Sequence, residues 1–190
     1  TDLEKKINKI LKKKKKLITI LSVLIAALGR TLEKNKTFNS YRKQNKINVY
    51  KNVNIGVVIE HEGKITIPII KNANQLNPDI IVKELMRMRK SILINKPDIK
   101  DLKGGTFTVS AMDHTEVTRF VPIIHPKQSG VLAFPKIQIR KVYGNKDGIV
   151  EKKFSNIGLS FDHSFINAGQ ANRFITDLVN EISILCKGIN

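Results

Sequence analysis

The run Leu17-Ile18-Thr19-Ile20-Leu21-Ser22-Val23-Leu24-Ile25-Ala26-Ala27-Leu28 constrains this chain more than any other stretch, because it carries no charged residue. A helix of that composition has to be covered on nearly all sides. It falls short of the roughly 20 residues that a bilayer requires, so a buried helix is expected and a membrane span is not. A secretory signal is not expected either, since no small-residue cleavage site leads into a separate mature domain. A chain of 190 residues fits one domain and can bury a core without disulfides or metal. Cys186 is the only cysteine, which excludes an intrachain disulfide and points to a reducing compartment, the cytoplasm by default.

The formal net charge of +18 raises the question of a polyanionic partner. Much of the charge sits in one N-terminal segment, where Lys5, Lys6, Lys9 and the run Lys12 to Lys16 surround Ile7, Ile10 and Leu11 at helical spacing. Such a pattern reads first as the solvated face of a helix, with a nucleic-acid patch and an acidic partner as alternatives. No helix-turn-helix or aromatic RNA-binding signature accompanies it, so nucleic-acid binding is not expected.

From Leu3 to Lys34 the pattern is helical, making 1–34 a basic amphipathic segment that continues into the apolar run. A loop rich in Asn, Lys and Ser follows over Asn35 to Lys46. Strands are expected over Asn52 to Ile59 and Ile65 to Ile70, with a hairpin turn at Glu62-Gly63 between them. Pro78 and Asp79 open a helix through Leu93 that places Ile80, Ile81, Leu85, Met88 and Ile92 on one face. Met86 and Met88 read as packing residues rather than ligands. Further strands are expected at Thr106 to Ser110, Val131 to Ile139 and Phe154 to Phe161, with irregular chain around Pro122 and Pro126. A last helix from Gly169 to Leu185 carries Ala171, Phe174, Ile175, Leu178, Val179 and Ile182 at helical spacing, so it should pack on the sheet. Helices flanking a mostly β centre give an α/β class, one domain over 1–190 with no repeat and no dividing linker.

Two segments carry a resemblance. Leu159-Ser160-Phe161-Asp162-His163-Ser164-Phe165-Ile166-Asn167-Ala168-Gly169 delivers a histidine from an apolar strand to a turn just before an amphipathic helix, a placement that suits a general base. With Gly104-Gly105-Thr106-Phe107-Thr108-Val109-Ser110 upstream, it resembles the catalytic core of the dihydrolipoamide acyltransferases of 2-oxoacid dehydrogenase complexes. Lys16-Leu17-Ile18-Thr19, Phe38-Asn39, Asn54-Ile55-Gly56-Val57-Val58 and Ile67-Pro68-Ile69-Ile70-Lys71-Asn72-Ala73 are similar to further family segments, in one order and at family-like intervals. The resemblance implies a chloramphenicol acetyltransferase-like mixed β-sheet flanked by helices, built into trimers that can assemble further into a 24-mer or larger cage. No lipoyl domain and no subunit-binding domain is recognisable in the chain, so a lipoyl group would be supplied in trans by a lipoylated protein, with dehydrogenase components as further partners.

What the resemblance implies for the site is acyl transfer between a dihydrolipoyl-type thiol and coenzyme A. His163 takes the base position, and Ser110 the position of the hydroxyl that donates to the oxyanion, the two facing each other across a subunit boundary. The family's histidine-arginine-x-x-x-aspartate-glycine pattern reads here as His163-Ser164-Phe165-Ile166-Asn167-Ala168, so Asn167 occupies the third catalytic position without the negative charge. Ala168 would be strained if its position needs positive φ, as the family glycine suggests. Asp162 is expected to be structural rather than a triad acid. His114 and His125 lack a third ligand at a recognisable spacing, so no metal is expected. Phe134-Pro135-Lys136 replaces a small-residue stretch near the family's coenzyme pocket. Two alternatives to an active enzyme stay open: a non-catalytic scaffold or acyl-coenzyme A binder, and a basic assembly that binds polyanions.

Overall fold

The computed structural model describes residues 18–143 and 148–188, so the basic segment expected before the apolar helix lies outside them up to residue 17. Thr19 sets the start of helix α1 (Ile20–Lys34) by a reciprocal cap: its Oγ1 accepts from the Ser22 N–H at 3.1 Å, and the Ser22 Oγ accepts from the Thr19 N–H at 3.0 Å. Every residue from Ser22 to Gly29 is buried, as an uncharged helix requires. Gly29 is where α1 comes closest to the rest of the chain. A Cβ there would sit 2.6 Å from the carbonyl carbon of Ala73, in the 3-10 turn Ala73–Gln75, so only glycine permits the approach.

After α1 the segment expected as a loop folds into a 3-10 turn (Lys36–Phe38) and a hairpin of β1 (Ser40–Lys43) and β2 (Lys46–Val49). Its strands are short and largely exposed, and only β2, Lys46-Ile47-Asn48-Val49, carries an apolar alternation. The chain continues through β3 (Ile55–Val57), β4 (Ile59–His61), β5 (Lys64–Thr66) and β6 (Ile69–Ile70). The expected turn at Glu62-Gly63 joins β4 to β5, with φ of 50° and 73° at its two residues, the left-handed pair that a tight hairpin needs. Helix α2 (Pro78–Leu93) begins at its proline as expected. Then come β7 (Phe107–Ala111), β8 (Gly130–Phe134), β9 (Gln138–Tyr143), β10 (Ile149–Phe154), β11 (Gly158–Phe161) and helix α3 (Ala168–Gly188).

Five strands form one mixed sheet in the order β11-β8-β7-β3-β6. β3, β7 and β8 run parallel, and β6 and β11 pair antiparallel at the edges. The three parallel strands are buried almost throughout, in keeping with their lack of any charged residue. Phe38, Phe107 and Phe174 tie hairpin root, sheet and α3 together: Phe38 stacks on Phe174 with centroids 4.3 Å apart, and Phe107 lies 6.0 Å from Phe174. The α/β architecture of a mixed sheet flanked by helices is therefore as expected.

Several boundaries differ. The strand expected from Val131 to Ile139 stops at Phe134, because Pro135 offers no N–H to continue the ladder, and the chain restarts as β9 off the main sheet. The strand expected from Phe154 to Phe161 is likewise two pieces, with Phe154 ending β10 and Gly158 starting β11. Ile80, Met86 and Val179, expected in the core, are exposed. On α2 the buried stripe runs through Ile81, Val82, Met88 and Ile92, and successive residues differ by about 100°, which turns Ile80 and Met86 away. On α3 the buried apolar positions are Phe174, Leu178 and Leu185, leaving Val179 on the flank. Among the described residues no helix is long and apolar enough to cross a membrane.

Candidate active site

His163 stands on the turn that leaves edge strand β11. Asp162 builds that turn: its Oδ1 accepts from the Ser164 N–H at 2.9 Å, its own N–H donates to the Ser129 carbonyl at 2.8 Å, and its carbonyl accepts from the Ile166 N–H at 3.1 Å. The aspartate is thus structural, in line with its sequence reading. The imidazole is exposed and lies over Phe161, ring centroids 5.4 Å apart. Ser164 turns its carbonyl toward the hairpin, where Arg42 Nη1 donates to it at 3.3 Å.

Asn167 is the N-cap of α3. Its Oδ1 accepts from the Gln170 N–H at 2.9 Å, and Gln170 Oε1 accepts from the Asn167 N–H at 2.9 Å. Asn and Asp cap helices equally well, which gives a physical reason for Asn at a position where the resembling pattern has aspartate. Ala168 opens the helix and is not among the described residues with positive φ, so the strain expected there does not arise.

Ser110 is nearly buried inside the sheet, on β7, level with Ala133 of β8. Approach to β7 is set by the 3-10 turn Ile99–Leu102, which α2 grips through Arg87: Nη1 donates to Asp101 Oδ2 at 2.7 Å and Nη2 to Oδ1 at 3.1 Å. Those hydrogen bonds hold the Asp101 carboxyl below the usual carboxylate range against the opposing effect of its burial.

The sheet does not bring His163 and Ser110 together within one chain. Because β11 is antiparallel to β8, Phe161 faces Gly130 whereas Gly158 faces Ala133, so His163 leaves the sheet at the end opposite to Ser110. Four residues along β8 separate Ser129, which holds Asp162, from Ala133, and β8 itself lies between β7 and β11. At 3.3 Å per residue and 4.8 Å per strand, the imidazole and the hydroxyl are roughly 15 Å or more apart. Among the described residues, neither the Ser110 hydroxyl nor a ring nitrogen of His163 has a hydrogen-bond partner.

His114 and His125 are exposed and separate; His114 Nδ1 lies 3.7 Å from Asp113 Oδ1, and His125 Nδ1 lies 3.0 Å from the Pro126 carbonyl. Among the described residues no group of three His, Cys, Asp or Glu could hold a metal ion. Lys136 pairs with Glu116, which crosses the loop after Ser110. A cleft of about 250 Å³ opens beside Gly104, Gly105, His125 and Gln128, and an apolar one of about 200 Å³ between α1, Phe134 and Phe154; neither is lined by His163 or Ser110. Sequence reasoning missed Arg42, whose contact lies across 122 residues and has no local signal.

A mixed sheet of this order, with helices packed on it and a histidine on the turn that leaves its edge, defines the class of chloramphenicol acetyltransferase-like folds. Chloramphenicol acetyltransferase itself superposes with a TM-score of 0.56 over 86% of this chain and 78% of that one, at 16% identity. Within that class, residues 1–185 match the model of the 2-oxoacid dehydrogenases acyltransferase catalytic domain, and the chain belongs to that family. The dihydrolipoyllysine-residue acetyltransferase component of the pyruvate dehydrogenase complex of Buchnera aphidicola subsp. Acyrthosiphon pisum is 32% identical over 174 residues, which is 90% of this chain and 44% of that protein. The chain spans less than half the length of the curated relatives it matches. A probable dihydrolipoamide acetyltransferase from Listeria monocytogenes superposes with a TM-score of 0.88 at 25% identity, covering 97% of this chain and 80% of that one. The cubic core of the pyruvate dehydrogenase multienzyme complex gives 0.82 at 24% identity, over 92% and 72%. The dihydrolipoamide acetyltransferase of Azotobacter vinelandii, studied for the role of a serine, a histidine and an asparagine in its catalytic mechanism, gives 0.82 at 23%, over 92% and 72%.

Proposed function

We propose that this domain moves an acyl group between a dihydrolipoyl thiol and coenzyme A, at sites formed where His163 of one subunit meets Ser110 of the next. The observation that carries this reading is the placement of the two groups. Among the described residues each is partnerless, and they lie at opposite ends of one sheet, so a closed ring of subunits would complete what the monomer leaves open. The serine, histidine and asparagine of the Azotobacter protein add support, its asparagine lying four positions after its histidine as Asn167 follows His163.

In the reaction His163 accepts the proton of the attacking thiol, whose ordinary pKa near 8.5 leaves it mostly protonated at neutral pH. Ser110 donates to the oxyanion that forms as the thiolate adds to the thioester carbonyl. On collapse of that intermediate the imidazolium returns its proton to the departing thiolate, which restores His163. Asn167 caps α3 and so holds the helix directly behind the turn.

The assembly is proposed as a trimer or a larger cage, with the cubic core above as the precedent. Lipoyl groups would arrive on a lipoylated domain, and the single cysteine suits the cytoplasm. Thiol exchange between acyl-coenzyme A and free dihydrolipoamide, in wild type and His163→Ala, tests the reading: loss in the variant is expected, and equal rates overturn it. Equal rates with a defined oligomer by light scattering would leave the scaffold reading instead, which draws on Ser164 and on Phe134-Pro135-Lys136. A stable monomer would overturn both.

A further inference from the structure

His163 sits between two residues that are each tied to a distant part of the chain. On one side, the Asp162 N–H donates to the Ser129 carbonyl at 2.8 Å. On the other, Arg42 Nη1 donates to the Ser164 carbonyl at 3.3 Å, a carbonyl to which no backbone N–H donates among the described residues. The guanidinium is aimed by its own hairpin, since Arg42 Nε donates at 3.0 Å to the carbonyl of Gln44, the left-handed residue of the β1–β2 turn. Both donors lie on one rigid plane, so fixing the first directs the second.

The hairpin is itself tied down at its root. Tyr50 O–H donates to the Lys127 carbonyl at 2.7 Å, Asn39 Nδ2 donates to the Asn52 carbonyl at 3.0 Å, and the Tyr41 and Tyr50 rings lie 5.1 Å apart. Lys127 stands two residues before Ser129. One tether of the turn therefore starts on the segment that enters β8 and the other on a hairpin tied to that segment, and His163 is the residue they bracket.

From this we infer that Arg42 is a positioning residue for His163, tying the turn that presents the imidazole to the β1–β2 hairpin. Its consequence for rate rests on the acyl-transfer reading of the same site; its consequence for the ring does not. The test uses the full chain as Arg42→Ala and Arg42→Lys, with Lys43→Ala as a control on the same hairpin. For Arg42→Ala, kcat for thiol exchange should fall about tenfold or more while KM for either thiol stays within about twofold, because a displaced base affects chemistry rather than capture. Lysine should recover only part of the loss, since its rotatable ammonium lacks the planar fork by which one donor aims the other.

Histidine-labelled NMR gives the independent readout. His163 ring signals, assigned by their disappearance in His163→Ala, carry the shift imposed by the Phe161 ring 5.4 Å away, and they should move in Arg42→Ala but not in Lys43→Ala. Unmoved His163 signals overturn the inference whatever the rates, as does a kcat within about twofold of wild type. Should wild type and His163→Ala exchange thiols equally, acyl transfer fails, and the ring signals alone decide the role of Arg42.

Discussion

Ser110 lies within the sheet and His163 on a turn outside it, and different forces hold them. The serine is fixed by the ladders of β7 with β3 and β8, where a one-residue slip would turn every side chain to the other face. The histidine is fixed by an aspartate turn, an aromatic contact, a helix cap and one arginine from a distant hairpin. Register leaves a strand residue few alternatives. A turn held by separate contacts can exchange one holder for another, which is how Ser164, Asn167 and Ala168 can stand where the family pattern has arginine, aspartate and glycine.

The sharpest way to break this comparison is to separate its two halves. His163→Ala and Ser110→Ala should each lower thiol exchange by about 10²-fold or more. Reassembled together from denaturant, they should recover about a quarter of wild-type rate, the chance that an intact histidine meets an intact serine in a random ring. No recovery would mean that the two groups do not work across a subunit boundary.

Next in size is the core that both halves share. Phe174→Ala should cost about 3–5 kcal/mol in denaturant unfolding, since it leaves Phe38 and Phe107 facing a void. A loss under about 1 kcal/mol would show that α3 is not seated as described. The cap is a smaller matter: Asn167→Ala should cost about 1 kcal/mol and Asn167→Asp almost nothing. If both cost the same, capping is not what Asn167 contributes to the turn.

The smallest effect belongs to the approach to β7. Asp101→Asn should destabilise by up to about 1 kcal/mol at neutral pH, as a paired but partly solvated ion pair does. Arg87 lowers the folded-state pKa of Asp101, so this contribution is complete above the ordinary carboxylate pKa of about 4 and disappears as pH falls through the lowered value. A wild-type advantage that grew on acidification would contradict that sign.

Local chemistry made much of this molecule legible. The uncharged run around Val23 to Leu28 could only be a covered helix, Pro78 could only begin one, and Glu62-Gly63 could only turn a hairpin. The strands that read clearly, β7 and β8, are those buried on both faces. The β1–β2 hairpin did not read, because its strands are four residues each and its Ile47 and Val49 are exposed, and neither did the break after Phe154, because Ser155-Asn156-Ile157 carries no proline or glycine to mark it. His163, Ser110 and Asn167 could be picked out one by one as residue types in suitable settings.

Where they stand relative to one another was decided only by tertiary structure. Strand order and direction are set by which ladders pair across long separations, and the sequence of a strand does not state its neighbour. That pairing sends the imidazole and the hydroxyl to opposite ends of one sheet, and it brings Arg42 to a turn 122 residues away.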